Sequence, residues 1–259
     1  MPPPPSLRRH LSLRDLVVYG LLFIGPLAPV GVFGVLDART NGAVALVYVL
    51  ATMAMEFTAW SYARMSRVVP RAGSVFAYAS EGLGPSAGFL AGWLAMLDYL
   101  LIPSVAYLFC GIALHALVPA VPAWAFTLLA FAATTALNRA GVALAARVGT
   151  FVLVAEIAVF VLFAVAAAVV LTGSGAARPL ASPFTGLGVF TLTPIVGAVS
   201  IAVLSFLGFD AIASFAEESA GDVRHVGSAI TACLVIAGLL FVLQTWLGAV
   251  LSPQDPATL

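Results

Sequence analysis

Long apolar runs, separated by short polar turns, make up most of this chain. A transmembrane helix needs about 20 mainly apolar residues, and these runs lack the two-residue alternation of a membrane barrel strand. Every backbone polar group inside a bilayer must be paired within the protein, so runs of this kind predict helices. The pattern predicts seven spans, at residues 16–36, 43–65, 87–117, 121–137, 144–171, 195–215 and 230–251.

Composition places these helices in a membrane rather than in the core of a soluble protein. Of the 259 residues, 62% are hydrophobic and 8% are charged, which leaves too little polar surface to cover a globule in water. Cytoplasmic loops of membrane proteins accumulate arginine and lysine. All of the 11 basic residues except Arg39 and Arg178 fall on the side of the N-terminus. We therefore predict a multi-pass protein of the plasma (inner) membrane, with its N-terminus in the cytoplasm.

Several classes of protein do not fit this sequence. Retinal proteins need a lysine for a Schiff base, and the sequence contains none. Receptors with seven helices place the N-terminus outside, which is opposite to the arginine pattern. ATP-driven transport would need a phosphate-binding loop with its lysine. No metal-ligand spacing, cofactor motif or basic patch for nucleic acid is visible, so the expected partners are the lipid bilayer and a small molecule.

Helix-breaking residues lie in the middle of the first span, at Gly25, Pro26, Pro29 and Gly31. Proline removes a backbone donor and clashes with the preceding turn, while glycine tolerates the altered backbone. We predict that this segment unwinds near the membrane midplane. Unwound backbone is tolerated there only where it lines a cavity or binds something. An ordinary proline kink is the alternative interpretation.

A second interruption occurs in the sixth span, where Gly208 and Asp210 stand in an otherwise apolar stretch. Interruptions at corresponding positions point to inverted repeats of five helices, with the substrate held between the breaks. Asp210 could attract a cationic amine, or it could cap the second half-helix of this span.

Five segments carry a resemblance to a known family: GPLAPVGVFG at 25–34, PRAGSVFAY at 70–78, GWLAMLDYLLIP at 92–103, SFLGFD at 205–210 and AEE at 216–218. With these segments in this order, the chain resembles the amino acid–polyamine–organocation transporters, and within them the putrescine-importer-like permeases. The resemblance runs over nearly the whole chain. It implies an all-α integral membrane protein, a LeuT-like inverted-repeat bundle that works by alternating access.

The family pattern also suggests how the chain is divided. We expect a cytoplasmic tail at 1–14, a first five-helix repeat at 15–172, an extracellular linker at 173–194 and the start of a second repeat at 195–259. Family members complete the second repeat and usually add two more helices. The bundle is therefore expected to be incomplete and the chain to be a fragment of a longer permease, with a truncated product that does not transport as the alternative.

The resemblance implies an amine or amino acid substrate between the two breaks. The expected substrate-binding residues are Ile24, Gly25, Pro26, Ala28, Pro29 and Gly31 in the first span, Tyr99, Ile102 and Ala106 in the third, and Phe206, Gly208, Phe209 and Asp210 in the sixth. Phe206 matches the family position where an aromatic ring closes over the substrate. Packing alone would also explain a phenylalanine in a membrane helix.

Acidic residues inside the predicted spans need an explanation, because an ionisable group at membrane depth costs at least about 2.5–3.5 kcal/mol. Glu156 lies where some relatives carry a basic residue that replaces a sodium ion, so we expect it to couple transport to protons. A neutral, hydrogen-bonded structural acid is the alternative. Asp98 is a second coupling candidate, and Glu56 is expected to be structural.

A gate on the cytoplasmic side is also implied by the resemblance, from Tyr78 together with the acidic pair Glu217 and Glu218. A solvated turn is the alternative for the acidic pair. We expect secondary active transport of an amino acid or polyamine, coupled to protons or to a counter-substrate. A neutral amino-acid exchanger, and a membrane fragment that only binds a ligand or partner, stay open. An intramembrane enzyme is a more distant alternative.

Overall fold

The computed structural model describes residues 11–69, 73–188, 191–215 and 224–253, and the elements it contains there are helical. In chain order they are α1 (Leu13–Ile24), α2 (Phe33–Arg39), α3 (Val44–Val68), α4 (Ser74–Leu83), α5 (Pro85–Leu117), α6 (Ala123–Arg139), α7 (Val142–Gly173), α8 (Ser182–Thr185), α9 (Leu192–Ala202), α10 (Ala211–Ser214) and α11 (Arg224–Leu251). Two 3₁₀ turns, at Ala28–Gly31 and Val203–Phe206, interrupt this series.

Within the described residues, six helical stretches are long and apolar enough to cross a membrane. They are Leu13–Gly31, Val44–Val68, Pro85–Leu117, Ala143–Gly173, Leu192–Ser214 and His225–Leu251. These stretches match six of the seven predicted spans. The predicted span at 121–137 is α6, which is shorter than the others at 17 residues, a length of about 26 Å.

Helix ends differ from the predicted ends where polar residues extend a helix. The last helix, α11, begins at Arg224 instead of residue 230, because hydropathy marks only the apolar part of a helix. At the other end of the described chain, α1 begins with a capping box. Ser12 Oγ accepts a hydrogen bond from the Asp15 amide, and the Asp15 carboxylate accepts one from the Ser12 amide at 2.9 Å. Such a box satisfies amide groups that have no partner within the helix.

The described residues fall into two compact units. The first contains those of Met1–Ser74 and Leu153–Leu259, and the second contains those of Val75–Val152. These units group residues that contact one another. The repeats at 15–172 and 195–259 are instead defined along the sequence, and they stay a prediction.

The first unit is built around α3 and α11, which pack along most of their length. Small residues let the two backbones approach: a Cβ at Gly227 would lie 3.0 Å from the carbonyl oxygen of Ala63. A Cβ at Gly238 would lie 2.6 Å from Thr52 Oγ1. Close approach of this kind gives van der Waals contact, which drives helix association where lipid replaces water. Both α1 and α10 also pack on α11.

The second unit contains the helix pair α5 and α6, joined by a short turn. Short connections make consecutive helices antiparallel neighbours. A Cβ at Gly111 of α5 would lie 2.7 Å from the carbonyl oxygen of Ala123, so this glycine allows the pair to pack closely. The hydroxyl groups of Tyr107 and Thr134 join the same helices at 2.8 Å.

Candidate functional site

The first span is broken where the sequence predicts it. Helix α1 ends at Ile24, and Gly25 follows in the left-handed region with φ 74°, its amide still bonded to the carbonyl of Leu21. Pro26 and Pro29 have no amide hydrogen, so the α-helical ladder cannot continue through them. The chain instead forms the 3₁₀ turn at Ala28–Gly31 before α2 begins.

The sixth span is broken as well. Helix α9 ends at Ala202 and passes into the 3₁₀ turn at Val203–Phe206. Leu207 is then extended with ψ 143°, and Gly208 takes φ 98° before α10 begins at Ala211. Only glycine adopts such a φ readily. The predicted interruption at Gly208 and Asp210 is confirmed.

The two breaks meet inside the first unit. A Cβ built on Gly208 would lie 2.8 Å from the carbonyl oxygen of Phe23, in the last turn of α1. The two 3₁₀ turns also contact each other. The structure therefore brings together the expected substrate-binding residues of the first and sixth spans, with the backbones in contact and no side chain between them at Gly208.

Aromatic rings surround the break of the sixth span. Phe206 is fully buried, and its ring meets that of Phe241 edge-on with centroids 4.9 Å apart. Phe209 meets Tyr62 in the same manner at 5.3 Å. In this conformation both phenylalanines pack against neighbouring helices, and for Phe206 this agrees with the packing alternative. Closure of Phe206 over a substrate stays a prediction.

Tyr48 is a residue of the site that the sequence does not reveal, because it lies in an apolar run without a motif. It is fully buried in α3, and its hydroxyl shares a hydrogen bond with Ser205 Oγ at 2.9 Å. Its ring meets Phe241 edge-on at 5.7 Å. Tyr48 thus ties the second span to the 3₁₀ turn of the sixth.

We expect Tyr48→Phe and Ser205→Ala to lower the free energy of unfolding by about 1–2 kcal/mol each, because each removes one hydroxyl and leaves the other one buried without this partner. The double variant should lose less than the sum, with a coupling of about 1 kcal/mol. Thermal unfolding in detergent measures this. Additive losses at Tyr48 and Ser205 would contradict the expectation.

Asp210 sits at the first position before α10, where a capping carboxylate would be placed. Its side chain makes no capping hydrogen bond to this helix. Its backbone carbonyl accepts a hydrogen bond from Ser74 Oγ at 3.4 Å. The capping alternative for the Asp210 carboxylate is therefore not what the structure contains.

Gln244 is a second residue that sequence analysis misses, although it is a polar side chain within the apolar seventh span. It is 6% exposed, and its Nε2 donates a hydrogen bond to the carbonyl oxygen of Pro26 at 2.9 Å. Gln244 of α11 thereby contacts the unwound backbone of the first span.

A buried ion pair holds the far end of α2. Arg178 Nη1 donates to the Asp37 carboxylate at 2.8 Å, and both side chains are almost fully buried. Arg178 Nη2 also donates to Ser252 Oγ at 3.2 Å. The sequence places Arg178 in the linker after the fifth span, but residues 141 positions apart give no sign of this pairing.

The remaining expected site residues lie on other elements. In the second unit, Asp98, Tyr99, Ile102 and Ala106 are on α5, and Tyr78 is buried on α4. Glu156 is on the part of α7 that belongs to the first unit. Glu217 and Glu218 lie outside the described residues. Among the residues that the structure describes, no group of three or more His, Cys, Asp or Glu side chains could hold a metal ion.

Comparisons with known proteins find membrane transport proteins. The amino acid permease family model matches residues 17–259. The low-affinity putrescine importer PlaP of Escherichia coli (strain K12) is 34% identical over 243 residues, which cover 93% of this chain and 54% of the relative.

More distant relatives include the branched-chain amino acid permease BcaP of Bacillus subtilis (strain 168), 28% identical over 261 residues, or 92% of this chain and 54% of the relative. The gamma-aminobutyric acid permease of Escherichia coli (strain K12) is 29% identical over 132 residues, covering 50% of this chain and 27% of the relative. This chain spans about half the length of the curated relatives that match it along most of its residues.

Proposed function

Because this chain is a member of the amino acid permease family, we propose that it forms the substrate-binding part of a secondary active transporter for an amino acid or polyamine. The observation that carries the proposal is the meeting of the two breaks, where Gly208 approaches the last turn of α1 at Phe23 and the two 3₁₀ turns touch. Unwound backbone in a membrane is expected where it lines a ligand site. Members of this family are permeases and not enzymes.

An ammonium group is the part of the substrate that this site suits best. The carboxyl end of α1 carries the partial negative charge of the helix dipole, and it ends at the break. Asp210 supplies a carboxylate at the other break. The likeness to a putrescine importer supports a polyamine as the substrate. The likeness to a branched-chain amino acid permease supports a neutral amino acid as the second candidate.

In the proposed cycle the site opens alternately to the two sides of the plasma membrane, with the N-terminus in the cytoplasm. Phe206 closes over the substrate in this cycle. Tyr78, Glu217 and Glu218 close the cytoplasmic side. Protons or a counter-substrate drive the cycle.

Uptake competition tests this proposal. The protein is reconstituted into vesicles, and uptake of radiolabelled putrescine is measured with unlabelled putrescine, arginine, glutamate or leucine in excess. Equilibrium binding of the same compounds to the protein in detergent is measured in parallel. We expect the substrate and its chemical relatives to compete. Failure of every amine and amino acid to bind would overturn the proposal.

Glu156→Gln tests proton coupling. We expect this variant to lose the stimulation of uptake by an inward proton gradient, because an amide cannot take up and release a proton, while substrate binding in detergent is kept. Glu56→Gln is the matched control, since it removes another acid within a span. Gradient-driven uptake that is unchanged in Glu156→Gln would rule out Glu156 as the coupling site.

A further inference from the structure

The break of the first span leaves one carbonyl group without its helical partner. In a continuous helix the carbonyl of Pro26 would accept a hydrogen bond from the amide of Val30. Here the Val30 amide donates instead to the carbonyl of Leu27 at 3.0 Å. The carbonyl of Pro26 is buried, and a buried backbone acceptor needs another donor.

Gln244 supplies that donor from the seventh span. Its Nε2 lies 2.9 Å from the Pro26 carbonyl oxygen and 3.2 Å from the carbonyl oxygen of Leu240 in its own helix. Both hydrogens of the side-chain amide are therefore used. The two bonds fix the orientation of the amide, with its nitrogen toward the break.

This orientation leaves the other end of the amide unused. Gln244 Oε1 is buried and has no hydrogen-bond partner among the residues that the structure describes. A buried acceptor without a donor costs about 1–3 kcal/mol, so a structure that keeps one needs a reason. An apolar side chain of similar length would remove this unpaired oxygen, but it would leave the Pro26 carbonyl without its donor.

We propose that Gln244 is part of the amine-recognition site, and this inference rests on the proposed function. Its Nε2 holds the Pro26 carbonyl in place, and its Oε1 accepts a hydrogen bond from an N–H of the ligand's primary ammonium group. The ligand class is a primary amine or an amino acid. This bond would pair the Oε1 acceptor, which has no partner among the described residues.

Two ligands of equal charge, one with N–H groups and one with methyl groups in their place, test this role. Putrescine carries two primary ammonium groups, while its fully N-methylated diquaternary analogue has the same charges and no N–H donor. We expect wild-type protein in detergent to bind putrescine at least about tenfold more tightly than the analogue, the ratio that corresponds to one hydrogen bond of about 1.4 kcal/mol. Gln244→Met should bring this ratio close to one.

Thr245→Val is the matched control. Thr245 is the neighbouring buried residue of α11, and among the described residues its hydroxyl bonds to carbonyl groups of its own helix, at Phe241 and Val242. This variant should keep the wild-type ratio. Gln244→Asn is a second variant, in which the amide is retained but the side chain is shorter by one methylene. Its affinity ratio of putrescine to the analogue should also fall close to one, as in Gln244→Met. A merely structural role would change unfolding temperature and leave the ratio unchanged.

The outcomes separate the two proposals. If wild type binds amines and both Gln244 variants keep its preference for putrescine over the methylated analogue, the role of Gln244 is wrong and the proposed function is untouched. If the folded wild type binds no amine or amino acid, both proposals are overturned.

Discussion

Gly208→Ala is expected to lower the free energy of unfolding by about 3 kcal/mol or more, from overpacking and from backbone strain together. The added Cβ would lie 2.8 Å from the carbonyl oxygen and 3.0 Å from the carbonyl carbon of Phe23. Backbone atoms cannot move aside as a flexible side chain can. The φ of 98° at Gly208 is strained for alanine in any surroundings. Thermal unfolding in detergent measures the loss.

Two other glycines make this prediction specific. Gly25 also has a positive φ, 74°, but a Cβ there would meet nothing within 4 Å, so Gly25→Ala isolates the backbone strain at about 1–2 kcal/mol. Gly197 lies in α9 with open space around it and no positive φ, so Gly197→Ala should be neutral or slightly stabilising. Equal losses for Gly208→Ala and Gly25→Ala would show that the two broken spans do not meet at Gly208.

Breaking the ion pair of Asp37 and Arg178 is expected to have the other large effect. Removing one partner of a buried pair leaves an uncompensated charge, at a cost of about 3–5 kcal/mol. We therefore expect Asp37→Ala and Arg178→Ala each to lower the unfolding temperature strongly. A double variant with leucine at both positions should recover much of the loss, because no charge is then left buried. Differential scanning fluorimetry of the four proteins measures these changes.

Arg39→Ala is the control for the Asp37 and Arg178 variants. Arg39 lies two positions after Asp37, at the end of α2, and it is exposed. An exposed arginine contributes at most about 1 kcal/mol through ion pairs, so the unfolding temperature should barely change. If Arg178→Ala were as mild as Arg39→Ala, the pair would contribute nothing to stability.

The parts of the fold that follow from local chemistry could be predicted from the sequence. Apolar runs predict helices, and Pro26, Pro29 and Gly208 predict breaks, because each effect depends on the residue itself and its neighbours in the chain. Helix ends were predicted less well, as at Arg224, since polar turns continue a helix beyond its apolar part. Helix α6, with 17 residues, also shows that an apolar run predicts a helix more reliably than it predicts the length of that helix.

The site was only partly accessible from the sequence, because its contacts join residues far apart in the chain. Gly208 could be recognised as a break, but its approach to Phe23 depends on how α1 packs. Gln244 and Tyr48 carry no motif, and only tertiary contacts place them at the breaks. A polar side chain within an apolar span was the available signal for Gln244. Nothing in the sequence connects Asp37 with Arg178.

Arg178 also determines which parts of the first unit can move separately. Its backbone amide donates to the carbonyl of Val250 at 3.1 Å, while its side chain holds Asp37 and Ser252. Arg178 thus links three parts of the first unit: the segment after α7, the far end of α2 and the last turn of α11. A tilt of α2 that keeps the bonds of Arg178 to Asp37 and Ser252 therefore moves the end of α11 as well.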